Sequence, residues 1–302
     1  MPWSFRCKRG VRKRMRLLIV AVLFVPALPA ADWKVDHATI AGSSLKHLRE
    51  MLDSVGLRSE YGGQHSSGLT EMALVSFPDG SYLELMAWID ASAPHPGQSW
   101  AKFMDKQGGP CAWAVSVPDI VQETRRLAAT GIRTSEPVRS GRMLTDGFRL
   151  DWEMAGAGPG ERGSLFPFLI EDLTPRERRA YPNGRPTTRE YAGVARVVIA
   201  VRNLTNAVAQ YRRAYALPQP REQNDGHLGA RLAWFPGTPI ILAAPLNART
   251  WLAGRIAGFG EAPCAFLLRD TGHPRSGDTI WFGAGVSWFD PEKLAGIQLG
   301  VE

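Results

Sequence analysis

From Trp33 to Trp88 the apolar residues change period twice. Val35 to Ala41 is a short apolar run interrupted by Asp36-His37, which predicts a buried strand. Leu45, Leu48, Leu52 and Val55 then fall at helical spacing, behind Ser43-Ser44, which can cap a helix, and ahead of Gly56, which stops it. After Gly62-Gly63-Gln64-His65, two apolar runs, Met72 to Phe77 and Tyr82 to Trp88, flank the turn signal Pro78-Asp79-Gly80. The predicted order is strand, helix, then two or three strands, a βαβββ unit.

The unit recurs. Strand Ala112 to Val117 leads to a helix opened by Pro118, with Ile120, Val121, Leu127 and Ala128 as its apolar face and Gly131 as its stop. Asp146-Gly147 marks a hairpin turn, followed by strands Phe148 to Met154 and Ser164 to Ile170. A third unit starts at Val194: VARVVIAVRNL parallels VDHATIAGSSL, and Leu204, Val208, Tyr211 and Tyr215 form its helix face. A fourth echoes Pro110-Cys111-Ala112-Trp113 as Pro263-Cys264-Ala265-Phe266, with a polar stretch in place of its helix. Residues 176–192 are polar, Arg-rich and broken by Pro182 and Pro186, and read as a solvated linker. The expected organisation is a leader (1–31), a first pair of units (32–175), the linker, and a second, degenerate pair (193–302).

Charge looks informative until the leader is set aside. Arg6 to Arg16 form a basic segment, Leu17 to Leu28 an apolar one, and Pro29-Ala30-Ala31 a small-residue cleavage site, the layout of an export signal. Seven of the 36 Lys and Arg lie there, against none of the 29 Asp and Glu, so the remainder carries 29 of each. The formal net charge of +7 is therefore no argument for nucleic-acid binding. The expectation is an exported protein, periplasmic or extracellular, with no stable membrane anchor after cleavage. Cys111 and Cys264 read as small buried strand residues rather than a disulfide. No Gly-rich phosphate loop, HExxH, CxxC pair or GxSxG stands out.

Two ionisable residues sit inside apolar runs, where an unpaired charge is costly: His37 in the first strand and Glu84 in the last strand of the first unit. With Val35-Asp36-His37, Gly62-Gly63-Gln64-His65 and Asp79-Gly80-Ser81-Tyr82-Leu83-Glu84-Leu85, the chain resembles the glyoxalase-like branch of the vicinal oxygen chelate superfamily. The segment from Arg142 to Trp152 with Pro167-Phe168 resembles it too. The resemblance implies an α+β fold of paired βαβββ modules, two pairs in tandem, each pair around a shared cavity. It places His37 and Glu84 at positions where metal ligands sit.

His65 could complete a two-His, one-carboxylate set with His37 and Glu84, suited to one divalent ion such as Fe, Mn, Zn or Ni. His65 and Glu84 are equally candidates for acid–base work without metal. Asp36 and Ala38 are expected to point away from His37, by strand alternation. The second unit offers Ala112 in the place of His37 and no carboxylate before Glu171 and Asp172. The third offers Arg196 and Leu242 in the places of His37 and Glu84. Arg142 can hold an anionic or carbonyl-bearing substrate, with Trp152 as an apolar wall. His47, His95, His227 and His273 are assigned no role. Two readings follow: a metal-dependent lyase, isomerase or dioxygenase acting on a small molecule, or a metal-free protein that binds or sequesters one without turnover.

Overall fold

A computed structural model describes residues 1, 3–4, 33–144, 146–272 and 277–302. The expected leader (1–31), apart from residues 1, 3 and 4, and His273 lie outside the described residues.

The first half begins with β1 (Val35–Ala41), α1 (Leu45–Ser54), β2 (Glu60–Gln64), β3 (Thr70–Ser76) and β4 (Tyr82–Trp88). After the short α2 (Ala101–Met104) come β5 (Gly109–Ser116), α3 (Ile120–Ala129), β6 (Val138–Met143), β7 (Arg149–Ala155) and β8 (Phe168–Asp172). These strands form one eight-stranded sheet in the order β2-β3-β4-β1-β5-β8-β7-β6. The first strand of each unit runs parallel to the last, β1 with β4 and β5 with β8, and the two units join where β1 and β5 pair antiparallel.

A short helix, α4 (Arg176–Ala180), precedes the second half. There β9 (Tyr191–Ala200), α5 (Leu204–Tyr215), β10 (Arg221–Asp225), β11 (Ala230–Trp234) and β12 (Ile240–Pro245) make the third unit. Helix α6 (Trp251–Phe259) takes the place of α2, and β13 (Ala262–Asp270), β14 (Thr279–Trp281), β15 (Ala284–Trp288) and β16 (Gln298–Val301) complete a second sheet. Its order, β10-β11-β12-β9-β13-β16-β15-β14, is that of the first. The fold is thus the expected tandem of paired βαβββ modules.

Local chemistry agrees with the elements. The Ser44 hydroxyl caps α1 by accepting from the His47 N–H, Asp119 caps α3 and Asn203 caps α5. The buried faces of α1, α3 and α5 and one face of each sheet share a single hydrophobic core. On β1 that face is Ala38 and Ile40, and on β9 it is Val197 and Ile199. The halves interlock through it: Phe166 stacks on Tyr211 with centroids 4.6 Å apart, and Trp33 meets the edge of Tyr215 at 4.5 Å. Cys111 and Cys264 are both buried and free.

The opposite faces differ. In the second sheet, Val198, Leu232, Ile241, Leu267, Trp281 and Val286 fill that side with apolar packing. In the first sheet, the same side carries the polar residues described next.

Candidate functional site

The site begins with an irregularity in β1. Val35 pairs with Val115 and His37 with Ala114, so Asp36 has no partner on β5. An additional residue of this kind, a β-bulge, breaks strand alternation. The expectation that Asp36 points away from His37 therefore fails: their side chains meet, with His37 Nδ1 2.6 Å from Asp36 Oδ1. The second sheet repeats the step between Val194 and Arg196, with Ala195 in the position of Asp36.

Parallel pairing of β1 with β4 sets Thr39 beside Glu84 and His37 beside Tyr82. The Thr39 hydroxyl donates to Glu84 Oε2 at 3.1 Å, and His37 Nε2 lies 3.6 Å from the same oxygen. His65, at the end of the β2 segment, reaches Glu84 Oε1 with Nε2 at 3.2 Å, while its Nδ1 lies 2.8 Å from the Thr70 hydroxyl. The structure thus brings His37, His65 and Glu84 together, with one carboxylate between two imidazoles.

Burial raises the Glu84 pKa, but the His65 hydrogen bond, the charges of His37 and His65 and the Thr39 hydroxyl outweigh it and bring it to about 2. An ionised Glu84 only accepts, so His65 carries its proton on Nε2. By the same argument His37 donates from Nδ1 to Asp36, whose carboxyl is also held well below its usual range against the cost of burial. A carboxyl whose folded pKa is depressed stabilises the fold above its unfolded pKa and loses that contribution as pH falls through the folded one. Between pH 4.5 and about 2, the fall in melting temperature is expected to be shallower in Glu84→Gln than in the native protein, read by circular dichroism. Parallel curves would refute the assignment.

Asp36 is neutralised from outside the repeats. Arg179 on α4, 3% exposed, donates from Nη1 to Asp36 Oδ1 at 3.0 Å and from Nη2 to Oδ2 at 2.6 Å. Its Nε donates to Asp172 Oδ1 at 2.6 Å and its Nη1 to the Tyr82 hydroxyl at 2.7 Å. Arg176 pairs with Asp36 as well, and with Asp172 at 3.3 Å. Residues 176–180 are therefore no solvated linker. The basic run reads as solvent-facing by composition, but a buried carboxylate on β1 draws two of its guanidinium groups inward. Thr187 also hydrogen-bonds Ser76 across the same boundary.

His37, His65, Glu84, Tyr82 and Arg179 line a cavity of about 250 Å³ in the first sheet. Arg142 and Trp152 both line it, as does Arg162, which sequence reasoning passed over. Apolar walls come from Met72, Met86, Met154, Trp88, Trp152 and Phe168. Phe168 pairs with Ala114 as Glu84 does with Thr39, so the second unit sets an aromatic ring where the first has its carboxylate. Glu171 is committed elsewhere, accepting from the Ile120 N–H at the start of α3. Gly62 keeps β2 close: a Cβ there would lie 3.2 Å from Arg142 Nη1. In the third unit the strand register makes Ile241, not Leu242, the counterpart of Glu84, because Val198 pairs with Ile241 and Leu242 faces the shared core. A one-residue shift exchanges the two faces of a strand.

The other described histidines do not line the cavity. His47 is exposed on α1, His95 stacks on Trp88 at 3.7 Å, and His227 stacks on Trp288 and bonds Gln298.

The donor set does not suit a divalent ion. Among the described residues no group of three His, Cys, Asp or Glu is arranged to hold one. Glu84 accepts from Thr39 at Oε2 and from His65 at Oε1, and the second unit offers Ala112 and Phe168 where further ligands would stand. Arg142 and Arg162, which line the cavity with no carboxylate partner among the described residues, also oppose a further cation.

A family model described as a glyoxalase-like domain matches residues 35–215. A search of curated protein sequences returns no match. Among solved structures, a hypothetical protein from Staphylococcus aureus superposes with a TM-score of 0.61 at 13% identity, over 89% of this chain and 98% of that one. A mutant of 4-hydroxymandelate synthase from Streptomyces coelicolor superposes with a TM-score of 0.53 at 12% identity, over 80% and 71%. At such identities the likeness concerns the fold. With the family model spanning more than half of its length, the chain belongs to the glyoxalase-like domain family.

Proposed function

We propose that the cavity of the first sheet takes a small oxygenated molecule and moves a proton on it, as a lyase or isomerase does. The observation that carries this reading is Glu84 set between the Nε2 atoms of His37 and His65 at the wall of the cavity. Asp36 fixes the His37 ring through Nδ1, so that Nε2 faces the cavity. Thr70, His65 and Glu84 form a hydrogen-bonded chain along which a proton can shift. A C–H bond beside a carbonyl would give its proton to this group, the electron pair moving to the carbonyl oxygen. Return of the proton completes an isomerisation, and loss of a leaving group completes an elimination. Arg142 and Trp152 orient the bound molecule. The leader supports placing this activity outside the cytoplasm.

The metal-dependent form of the reading has the same three residues as ligands, but the hydrogen bonds that Glu84 accepts from Thr39 and His65 fit it poorly, and no step is assigned to an ion. A second reading, binding without turnover, draws on one observation: both Glu84 oxygens are already satisfied, and the carboxyl titrates far below neutrality.

The test is deuterium exchange into a panel of small 2-oxo acids, 2-hydroxy acids and hydroxyketones in heavy water, followed by NMR. Exchange by the native protein is expected, falling about 10²-fold or more in Glu84→Gln and persisting after EDTA dialysis. Binding without exchange across the panel would favour the second reading. Stoichiometric Fe, Mn, Ni or Zn in the purified protein, with exchange lost on its removal, would overturn the metal-free assignment.

A further inference from the structure

Arg142, Arg162 and Arg179 line the cavity, Arg176 shares the carboxylate partners of Arg179, and the four fall into two kinds. Arg176 and Arg179 are neutralised by Asp36 and Asp172. Arg142 and Arg162 have no carboxylate within ion-pair reach among the described residues. Arg142 is 5% exposed, donates to the Arg179 carbonyl oxygen at 3.1 Å, and rests Nη1 on the Met72 sulfur at 3.2 Å. Arg162 rests Nη1 on the Met154 sulfur at 3.1 Å and lies over the rings of Trp100 and Phe168, 5.4 and 5.5 Å from their centroids. The Nε of each is buried without a partner. A thioether is a weak acceptor, and burying a cation without a counter-charge is costly. Burial lowers the pKa of both guanidinium groups. Two such groups in one pocket have no account in the stability of the fold.

We propose that the cavity's ligand is a small organic carboxylate with an apolar or aromatic body, and that Arg142 and Arg162 are its anion-binding residues. This rests on the reading of the cavity as a small-molecule site, and adds the class of molecule. A guanidinium presents parallel N–H groups that match a carboxylate, and the anion would take the donors now resting on Met72 and Met154. The same thioethers, with Trp152 and Phe168, would then cover the body of the molecule. Setting aside the balanced group on α4, the cavity holds two guanidinium charges against the one carboxylate of Glu84. That carboxylate repels the anion, so the acid binds with its charged end toward the arginines and its remaining carbons toward Glu84 and His65.

Phthalate, benzoate and benzamide probe this by calorimetry and thermal shift. Phthalate and benzoate are expected to bind at least about tenfold tighter than benzamide and to raise the melting temperature. Arg142→Met and Arg162→Met should each weaken the two acids about tenfold or more while leaving benzamide unchanged. The ligand-free Arg142→Met variant should melt at or above the native temperature, because a buried unpaired cation is removed. Glu84→Gln should bind the acids as well as the native protein or better, which separates anion binding from proton transfer. Benzamide binding equal to that of the acids would overturn the assignment and leave the cavity reading standing. So would full affinity in both arginine variants, or a melting temperature lowered by several degrees in ligand-free Arg142→Met. Failure of either acid to bind at about 10 mM would overturn it as well.

Discussion

Asp36→Ala is expected to lose about 3–5 kcal/mol of stability, the range for removing one partner of a buried ion pair. The substitution takes away the carboxylate that accepts from Arg179 at 3.0 and 2.6 Å and pairs with Arg176. It leaves Arg179 fully buried with only Asp172 as counter-charge, and frees the His37 ring from its Nδ1 contact. Denaturant unfolding measures the loss. Removing both sides together, as Asp36→Ala with Arg179→Met, should recover part of it, because the stranded charge goes too. A single variant within 1 kcal/mol of the native protein, on the scale of surface substitutions, would show that the network is not what holds α4 in place.

Phe166→Ala is expected to cost about 3–5 kcal/mol, as for a large aromatic truncated in a core. Phe166 is fully buried and stacks on Tyr211, a residue of the other sheet's helix. The loss should appear as one shifted unfolding transition common to both halves, since their helices share a single core. Two transitions, of which only the first moves, would show that the sheets unfold as separate bodies.

Much of the architecture is legible because period and punctuation agree. Leu45, Leu48 and Leu52 predict α1 at its observed position, Pro78-Asp79-Gly80 marks the β3–β4 turn, and the recurring pattern implies paired modules. His37 and Glu84 are legible because ionisable residues in apolar strands need partners, and His65 joins them as a candidate through the family resemblance. The orientation of Asp36 is not, because alternation holds only until a bulge interrupts it, and nothing local in Val-Asp-His announces one. The role of Arg179 is hidden for another reason. Its partner lies 143 residues away, and composition alone places an Arg-rich, Pro-broken stretch in solvent. The usable signal was Asp36 itself, a carboxylate in a buried strand for which some cation had to be found. Arg162 left less to go on, since its neighbours are Met154, Trp100 and Phe168 rather than an acid.

The position of α4 sets where a working fragment can end. The repeat pattern closes the first pair by residue 175, just past Asp172, the last residue of β8. A chain cut there has every strand of its sheet, yet Asp36 would sit at the sheet floor with neither Arg176 nor Arg179 to balance it. The site is therefore complete only once synthesis has passed Arg179, and the smallest piece that can assemble it is longer than the smallest piece that can close the sheet. Transplanting the paired module without those few residues would carry over the fold and leave behind the charge that His37 depends on.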